Sequence, residues 1–440
     1  MFSDMIVGIR REDKNEWERR VPLTPSQVRE LISHGFQVYV QPSPIRIYKD
    51  DEYREAGAVV QEDLSSCSAV FAVKEIPATF FREGGTYMFF SHTFKGQPYN
   101  MPMLRKVLDA KATLIDYEKV ADELDRRLIF FGNYAGTAGM LETLYTLGKR
   151  LAWEGFSTPF ADLKRPLEYP GLADAKAAVQ AAGERITREG LPESLSPLVV
   201  GFTGYGNVSK GAQEIFKLLP HEAIPAADLP RWLKEGRVSN RKLYKVVFYE
   251  KDMVERREAG SEFNLTEYYS KPEKYQSCFE RYLPFLNVLV NCIYWDERYP
   301  RLVTKEWLQK TWDTVSQPRL RVLGDISCDI EGSIECTVRS TEPGAPSYTY
   351  LPSDGRTVDG WEGRGPVVMA VDTLPSELPR EASASFGEML LPFVPAIASA
   401  DFNKPFDDLD LPLPIKRAII VHKGVFGPDY EYMSKFVEGF

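Results

Sequence analysis

The sequence predicts an α/β protein of two domains, each built on a parallel sheet with crossover helices on its faces. Three observations carry that prediction. The 440 residues are too many for one small core and about right for two domains. Strand and helix signals alternate as far as about residue 130. A second alternating run then begins at Leu198-Val199-Val200-Gly201-Phe202.

Taken in order, Met5-Ile6-Val7-Gly8-Ile9 reads as a strand. Thr24 caps a helix over 26–34 with Pro25 at its start, and Gly35 stops it. Residues 36–40 form the next strand. A helix-like stretch leads to Ala69-Val70-Phe71-Ala72-Val73, which ends at Lys74. Tyr87-Met88-Phe89-Phe90 ends at His92, and Leu114-Ile115-Asp116-Tyr117-Glu118 is a further strand candidate. Residues 138–152 predict one long helix, a spine passing between domains. The Pro-, Gly- and charge-rich region 157–197 reads as a helix flanked by loops. In the second run, strands are expected at 245–249, 288–291 and 321–324. Residues 338–366, rich in Gly, Pro, Ser and Thr, read as a long excursion, and 381–391 returns to helix until Pro392. There is no internal repeat.

Composition narrows the function. Apolar residues make up 43% and charged residues 27%, as in an ordinary globular protein. The net charge of −9 argues against a nucleic-acid surface but leaves room for a local basic pocket holding small carboxylates. No run approaches the roughly 18 apolar residues of a membrane span. Met1-Phe2-Ser3-Asp4 lacks the basic and apolar regions of a secretion signal. Five cysteines, an odd number without C-x-x-C spacing, predict buried free thiols in a reducing cytoplasm and no metal site.

The strongest motif is Thr203-Gly204-Tyr205-Gly206-Asn207-Val208-Ser209, between an apolar strand and an amphipathic helix. Gly204 permits a tight turn, and Gly206 lets the backbone approach a pyrophosphate. The N–H groups at Asn207, Val208 and Ser209, with the helix dipole, would receive it. Ser209 stands where the usual fingerprint has a third glycine, with Gly211-Ala212 nearby for close packing. That fingerprint expects an acid on the ribose about 20 residues on, but position 225 is a proline. The next strand ending in an acid is Val246-Val247-Phe248-Tyr249-Glu250, so residues 220–243 would be an insertion. Glu250 would then bind the ribose 2′-hydroxyl and repel a 2′-phosphate, selecting NAD over NADP unless Lys251 or Arg241 neutralises it. The competing reading is a solvated charge at a strand end.

In the first half, Arg19-Arg20, Lys74-Glu75 and Ser91-His92 stand where strands or loops would open onto a crevice. Lys74 and His92 together offer a general base and a general acid. Singly, each also reads as a strand terminus or a satisfied structural residue.

These segments together resemble the alanine dehydrogenase and transhydrogenase superfamily, and more closely the lysine-ketoglutarate reductase half of aminoadipic semialdehyde synthases. The likeness is carried by Arg10-Arg11-Glu12-Asp13, Trp17-Glu18-Arg19-Arg20-Val21-Pro22, Phe89-Phe90-Ser91-His92-Thr93 and Asp116-Tyr117-Glu118. Asn291-Cys292-Ile293-Tyr294-Trp295 and Asp325-Ile326-Ser327-Cys328-Asp329 extend it, in register from about residue 5 to 400. The resemblance implies two Rossmann-like domains with parallel sheets flanking an active-site cleft. A discontinuous substrate domain would span 1–135 and 372–440, and the dinucleotide domain 136–371.

It further implies Lys74 and His92 as the acid–base pair, Glu118 as the carboxylate tuning them, and Arg20 and Arg127 as grips for substrate carboxylates. Asp325 or Asp329 would lie beside the nicotinamide. The implied reaction is an oxidoreduction in lysine metabolism, joining lysine and 2-oxoglutarate into saccharopine at the expense of NAD(P)H, or the reverse, without a metal. The bifunctional relatives use NADP and the more distant fungal lysine-forming saccharopine dehydrogenases NAD; Glu250 favours NAD. A separate glutamate-forming saccharopine dehydrogenase would be the pathway partner. The alternatives are an alanine dehydrogenase-like or other opine-type enzyme, and a non-catalytic nucleotide-binding regulator.

Overall fold

Ile6–Ile9 forms the first strand, β1, with its last three residues buried. The computed structural model describes residues 5–236 and 238–439, so Met1-Phe2-Ser3-Asp4 lies outside the described residues. Helix α1 (Pro25–Ser33) begins at the predicted cap, where Gln27 accepts the Thr24 N–H at 2.7 Å and satisfies an otherwise orphaned donor. Then come β2 (Gln37–Val40), α2 (Asp50–Glu55), β3 (Val59–Val60), β4 (Ala69–Phe71), β5 (Thr86–Phe89), α3 (Met101–Asp109) and β6 (Thr113–Asp116). All pairings among these six strands are parallel.

Helix α4 (Gly132–Trp153) starts earlier than the 138–152 expected. After it come α5 (Leu172–Glu189), β7 (Val199–Thr203), α6 (Asn207–Phe216), β8 (His221–Ala223), α7 (Leu229–Glu235), β9 (Leu243–Phe248) and α8 (Glu250–Met253). A small antiparallel hairpin, β10 (Val254–Arg256) and β11 (Tyr275–Ser277), precedes β12 (Val288–Asn291) and β13 (Val322–Asp325). Then follow β14 (Ser347–Tyr350), β15 (Thr357–Asp359) and β16 (Val367–Met369). The last two strands are β17 (Ile419–His422) and β18 (Val425–Phe426).

Two compact units result: Met1–Phe131 with Pro379–Phe440, and Gly132–Leu378. The first holds the sheet β18-β17-β6-β5-β4-β1-β2-β3, in which β17 pairs antiparallel with β6 across a bulge. The second holds β15-β14-β16-β13-β12-β7-β9-β8, with a separate apolar layer on each face.

Two sequence expectations are corrected here. Residues 220–243 are more than an insertion, because β8 adds a parallel edge strand to β9. Residues 338–366 extend the sheet instead of leaving it: β14 runs antiparallel to β16 and carries β15. Ser347, Tyr348, Thr349 and Tyr350 are all buried, but so short a mixed run among prolines and glycines carries no clear period. Among the cysteines, all five are free, yet only Cys336 is fully buried; the other four are partly exposed.

In the second unit α4 and α6 touch backbone to backbone. A Cβ on Gly136 would stand 1.8 Å from the Val208 carbonyl oxygen, and one on Gly211 2.2 Å from that of Asn133. Farther along α4, Glu142 meets Glu377 from the turn Leu374–Glu377, both buried. No donor from another described residue reaches their four oxygens. Among the described residues the hydrogen bond open to them is one between the two, which requires a proton. Burial pushes the Glu142 carboxyl up to about 8, against the pull of that hydrogen bond and of Arg165. Burial and then the charge of Glu142 raise Glu377 well above the ordinary carboxyl range. No helix among the described residues is long and apolar enough to cross a membrane, and they contain no cluster of three metal-ligating side chains.

Candidate functional site

In the first unit β5, β4 and β1 are neighbours, so residues just past their carboxyl ends converge. Those residues are His92, Lys74 with Glu75, and Glu12. Glu12 is buried and accepts the backbone N–H groups of Val73 at 2.6 Å and Lys74 at 2.9 Å, tying the end of β4 to β1. Burial and then the charge of Glu18 push its carboxyl up to about 7, although both N–H groups and Arg10 pull it down.

Lys74 is half-buried, and the carboxylates around it are engaged elsewhere: Glu18 with Arg20, Glu75 with Lys14 and His92. Burial and then the charge of Arg20 hold its ammonium below the ordinary lysine range, with Glu18 opposing. His92 adopts a left-handed backbone, φ 48°, uncommon for a residue with a Cβ. Asn100 holds that kink through the carbonyls of Ser91 at 2.9 Å and His92 at 3.2 Å, while Ser91 is bonded to buried Asp116. The ring's Nδ1 lies 2.7 Å from Glu75 Oε1 and Lys14 Nζ 2.9 Å from Oε2. Against the upward push of burial, the His92 hydrogen bond and charge hold the Glu75 carboxyl far below the usual range. An Nδ1–H donated to Glu75 leaves Nε2 to take or give a proton.

The carboxylate expected on this pair, Glu118, is instead bonded to Arg127, whose side chain is 51% exposed. Glu75 takes the place because it leaves the same strand end as Lys74. Arg20 is also more committed than expected. It is buried, its Nε and Nη2 fork Glu18 at 2.7 and 2.6 Å, and Phe131 covers it at 4.2 Å. Its Nη1–Nη2 edge is the one a ligand carboxylate could use. Sequence reasoning gave no role to Glu12, Glu18 or Glu75. For Glu12 and Glu75 the available signal was an acid within four residues of a strand end, unreadable until the strand order is known; Glu18 had none.

In the second unit Gly204 turns at φ +79° and Gly206 caps α6 with no side-chain bond. The first helical bond is Lys210 N–H to the Gly206 carbonyl at 2.9 Å, so the N–H groups of Asn207, Val208 and Ser209 point out of the helix start. A Cβ on Gly206 would meet no atom within 4 Å, which leaves open space where a phosphate would need it. Ser209 is buried and accepts from Gln213 at 2.9 Å.

Strand β9 lies beside β7, and the Gly204 N–H bonds the Phe248 carbonyl at 3.0 Å, so half-buried Glu250 stands just beyond the glycine loop. Arg241 lies at the opposite end of β9, donating to the Thr187 carbonyl at 2.9 Å, and is in no position to neutralise Glu250. Asp325, expected with Asp329 beside a nicotinamide, closes β13. It is buried and accepts from Asn291 at 2.8 Å and Thr337 at 2.6 Å. Asn291 in turn accepts from Thr203 at 2.7 Å, so this network laces the carboxyl ends of β7, β12 and β13. Asp329 follows on a half-buried turn.

A family model described as "Alanine dehydrogenase/PNT, N-terminal domain" matches residues 8–138. The chain is 40% identical over 448 residues to "Alpha-aminoadipic semialdehyde synthase" of Arabidopsis thaliana, covering 98% of this chain and 41% of the relative. It is 36% identical over 446 residues to the mitochondrial protein of that name from Rattus norvegicus, covering 98% and 48%. It thus spans somewhat under half the length of these relatives. "Saccharopine dehydrogenase (NAD(+), L-lysine-forming)" of Neurospora crassa is 30% identical over 402 residues, covering 89% of this chain and 91% of the relative. Among solved structures, an L-alanine dehydrogenase superposes with a TM-score of 0.60 at 17% identity, covering 98% of this chain and 100% of that one. The fold of two Rossmann-like sheets is shared.

Proposed function

We propose, because this chain belongs to the family of lysine-forming saccharopine dehydrogenases, that it joins L-lysine and 2-oxoglutarate into saccharopine, and runs the reverse, as an NAD(P)-dependent oxidoreductase. The observation that carries the reading is Lys74, held below the lysine range, set off a strand adjacent to that of His92, itself oriented by Glu75.

The ε-amine of substrate lysine must be uncharged to attack the ketone carbon. Lys74, readily neutral once desolvated, accepts that proton. The C–N bond forms, one proton of the attacking nitrogen passes to the former ketone oxygen, and His92 Nε2, its charged ring stabilised by Glu75, supplies the second proton with which that oxygen leaves as water. The resulting C=N bond is reduced by the hydride that a bound nicotinamide coenzyme supplies. The Nη1–Nη2 edge of Arg20 suits one substrate carboxylate, and Arg127 suits another by exchanging Glu118 for it.

The open space before Gly206 and the free helix start fit a pyrophosphate, and Glu250 favours NAD, with NADP the alternative. A separate glutamate-forming saccharopine dehydrogenase would consume the product. A reducing compartment, cytoplasmic in our reading, suits five free thiols, although the rat relative is mitochondrial by name. The test is NADH oxidation that requires lysine and 2-oxoglutarate together. Equal turnover with ammonia and pyruvate would instead mark alanine dehydrogenase chemistry.

A further inference from the structure

Three large tyrosines stand unusually exposed around one carboxylate of the second unit: Tyr205 at 42%, Tyr249 at 45% and Tyr269 at 48%. Tyr205 lies inside the glycine loop, and its ring meets that of Tyr249, the residue before Glu250, at 5.0 Å and 32°. Tyr269 comes from a separate short helix, Leu265–Ser270, and its hydroxyl donates to Glu250 Oε1 at 2.6 Å. Burial, and then the hydrogen bond and charge of Glu250, raise the phenol above its ordinary value, so it stays a donor throughout the working range.

We propose that Tyr269 is a positioning residue for coenzyme choice, holding the Glu250 carboxylate where a ribose diol would meet it. The inference rests on the dinucleotide reading of the glycine loop. A phenol has one proton to give, so it engages one oxygen of Glu250 and leaves Oε2 for the 2′- and 3′-hydroxyls. A carboxylate anchored before the ligand arrives has already given up its rotamer freedom, which strengthens its grip on the ribose. The same anchoring prevents it from turning away from a 2′-phosphate, so discrimination against NADPH depends on the phenol as well as on the acid. Without the hydroxyl, Glu250 can swing toward solvent or Lys251. Tyr205, whose ring pairs with that of Tyr249, also interacts with the Tyr269 hydroxyl.

The test is a cycle of Tyr269→Phe and Glu250→Gln, singly and together, with kcat and KM measured for NADH and NADPH and coenzyme binding followed by fluorescence titration. Tyr269→Phe should raise the KM for NADH by about 5- to 10-fold, as loss of a half-exposed bond to a charged group does, leave kcat at saturating coenzyme within about twofold, and narrow the NADH/NADPH ratio correspondingly. In the Glu250→Gln background the same substitution should have little further effect, because it acts through Glu250. Unchanged or improved NADH binding in Tyr269→Phe overturns the proposal, as do fully additive effects in the double variant. If the wild type binds NADH and only Tyr269→Phe is silent, the dinucleotide reading stands and the proposal alone falls. If the wild type binds neither dinucleotide, both fall.

Discussion

Replacing Glu377 with Gln should make the second unit more stable in mild alkali than the native protein. Glu142 and Glu377 share their environment with no basic partner at hydrogen-bonding distance among the described residues, and the folded state keeps the Glu142 proton until about pH 8, against 4.5 when unfolded. A carboxyl raised in this way contributes its full stability below pH 4.5, and that contribution is lost as pH rises through 8. The gap between 4.5 and about 8, at about 1.4 kcal/mol per pH unit, sets an upper bound near 5 kcal/mol on the share of Glu142 alone, and water entry or local relaxation will reduce it. A loss of about 2–4 kcal/mol between pH 5 and pH 9 is therefore expected of the native chain. The Glu377→Gln change keeps the shape, removes the neighbouring charge and gives Glu142 an N–H donor, so the variant should lose about half as much or less. The assay is urea unfolding followed by tryptophan fluorescence, which reports the second unit because every tryptophan except Trp17 lies in Gly132–Leu378. Parallel stability–pH curves for native protein and variant would refute the argument.

Four other substitutions test the remaining structure. Lys74→Met and His92→Gln should each lower kcat by ~10²-fold or more while coenzyme binding persists, measured by steady-state kinetics and titration; near-native turnover in both removes the acid–base assignment. Glu250→Arg should reverse the NADH/NADPH preference, since a carboxylate ~4 Å from a phosphate charge is repelled by ~4 kcal/mol at an effective dielectric of ~20; an unmoved kcat/KM ratio makes Glu250 a surface charge. Gly136→Ala should destabilise the second unit by about 3 kcal/mol or more, because its Cβ would lie 1.8 Å from backbone oxygen on α6; an unchanged melting temperature would mean the two helices separate freely.

Much of this architecture was legible in the sequence. The run from Val199 through the glycine loop into α6 declared itself because strand, turn and helix signals fall within a few residues of one another. Thr24-Pro25 did the same for α1. What stayed hidden depended on lateral order. That Glu75 reaches His92, and that Glu12 clamps Val73 and Lys74, follows from β1, β4 and β5 being neighbours, which no local pattern encodes. That Asn291 and Thr337 reach the oxygens of Asp325 is equally invisible before the strands are set side by side. Glu142 and Glu377 lie far apart in the chain, and nothing in the local sequence marks either as buried.

The first unit is completed only when the chain returns. Ser383 accepts the Val21 N–H at 2.9 Å, Phe386 stacks on Phe131 at 4.4 Å, and β17 covers the open side of β6. During synthesis, Gly132–Leu378 emerges whole and can fold while β6 still shows a bare row of peptide groups to solvent or to a neighbouring nascent chain. That interval lasts until residue 419 clears the ribosome. It should be the step at which this protein depends most on chaperones, and a chain cut short before β17 should aggregate even though its dinucleotide-type unit is complete.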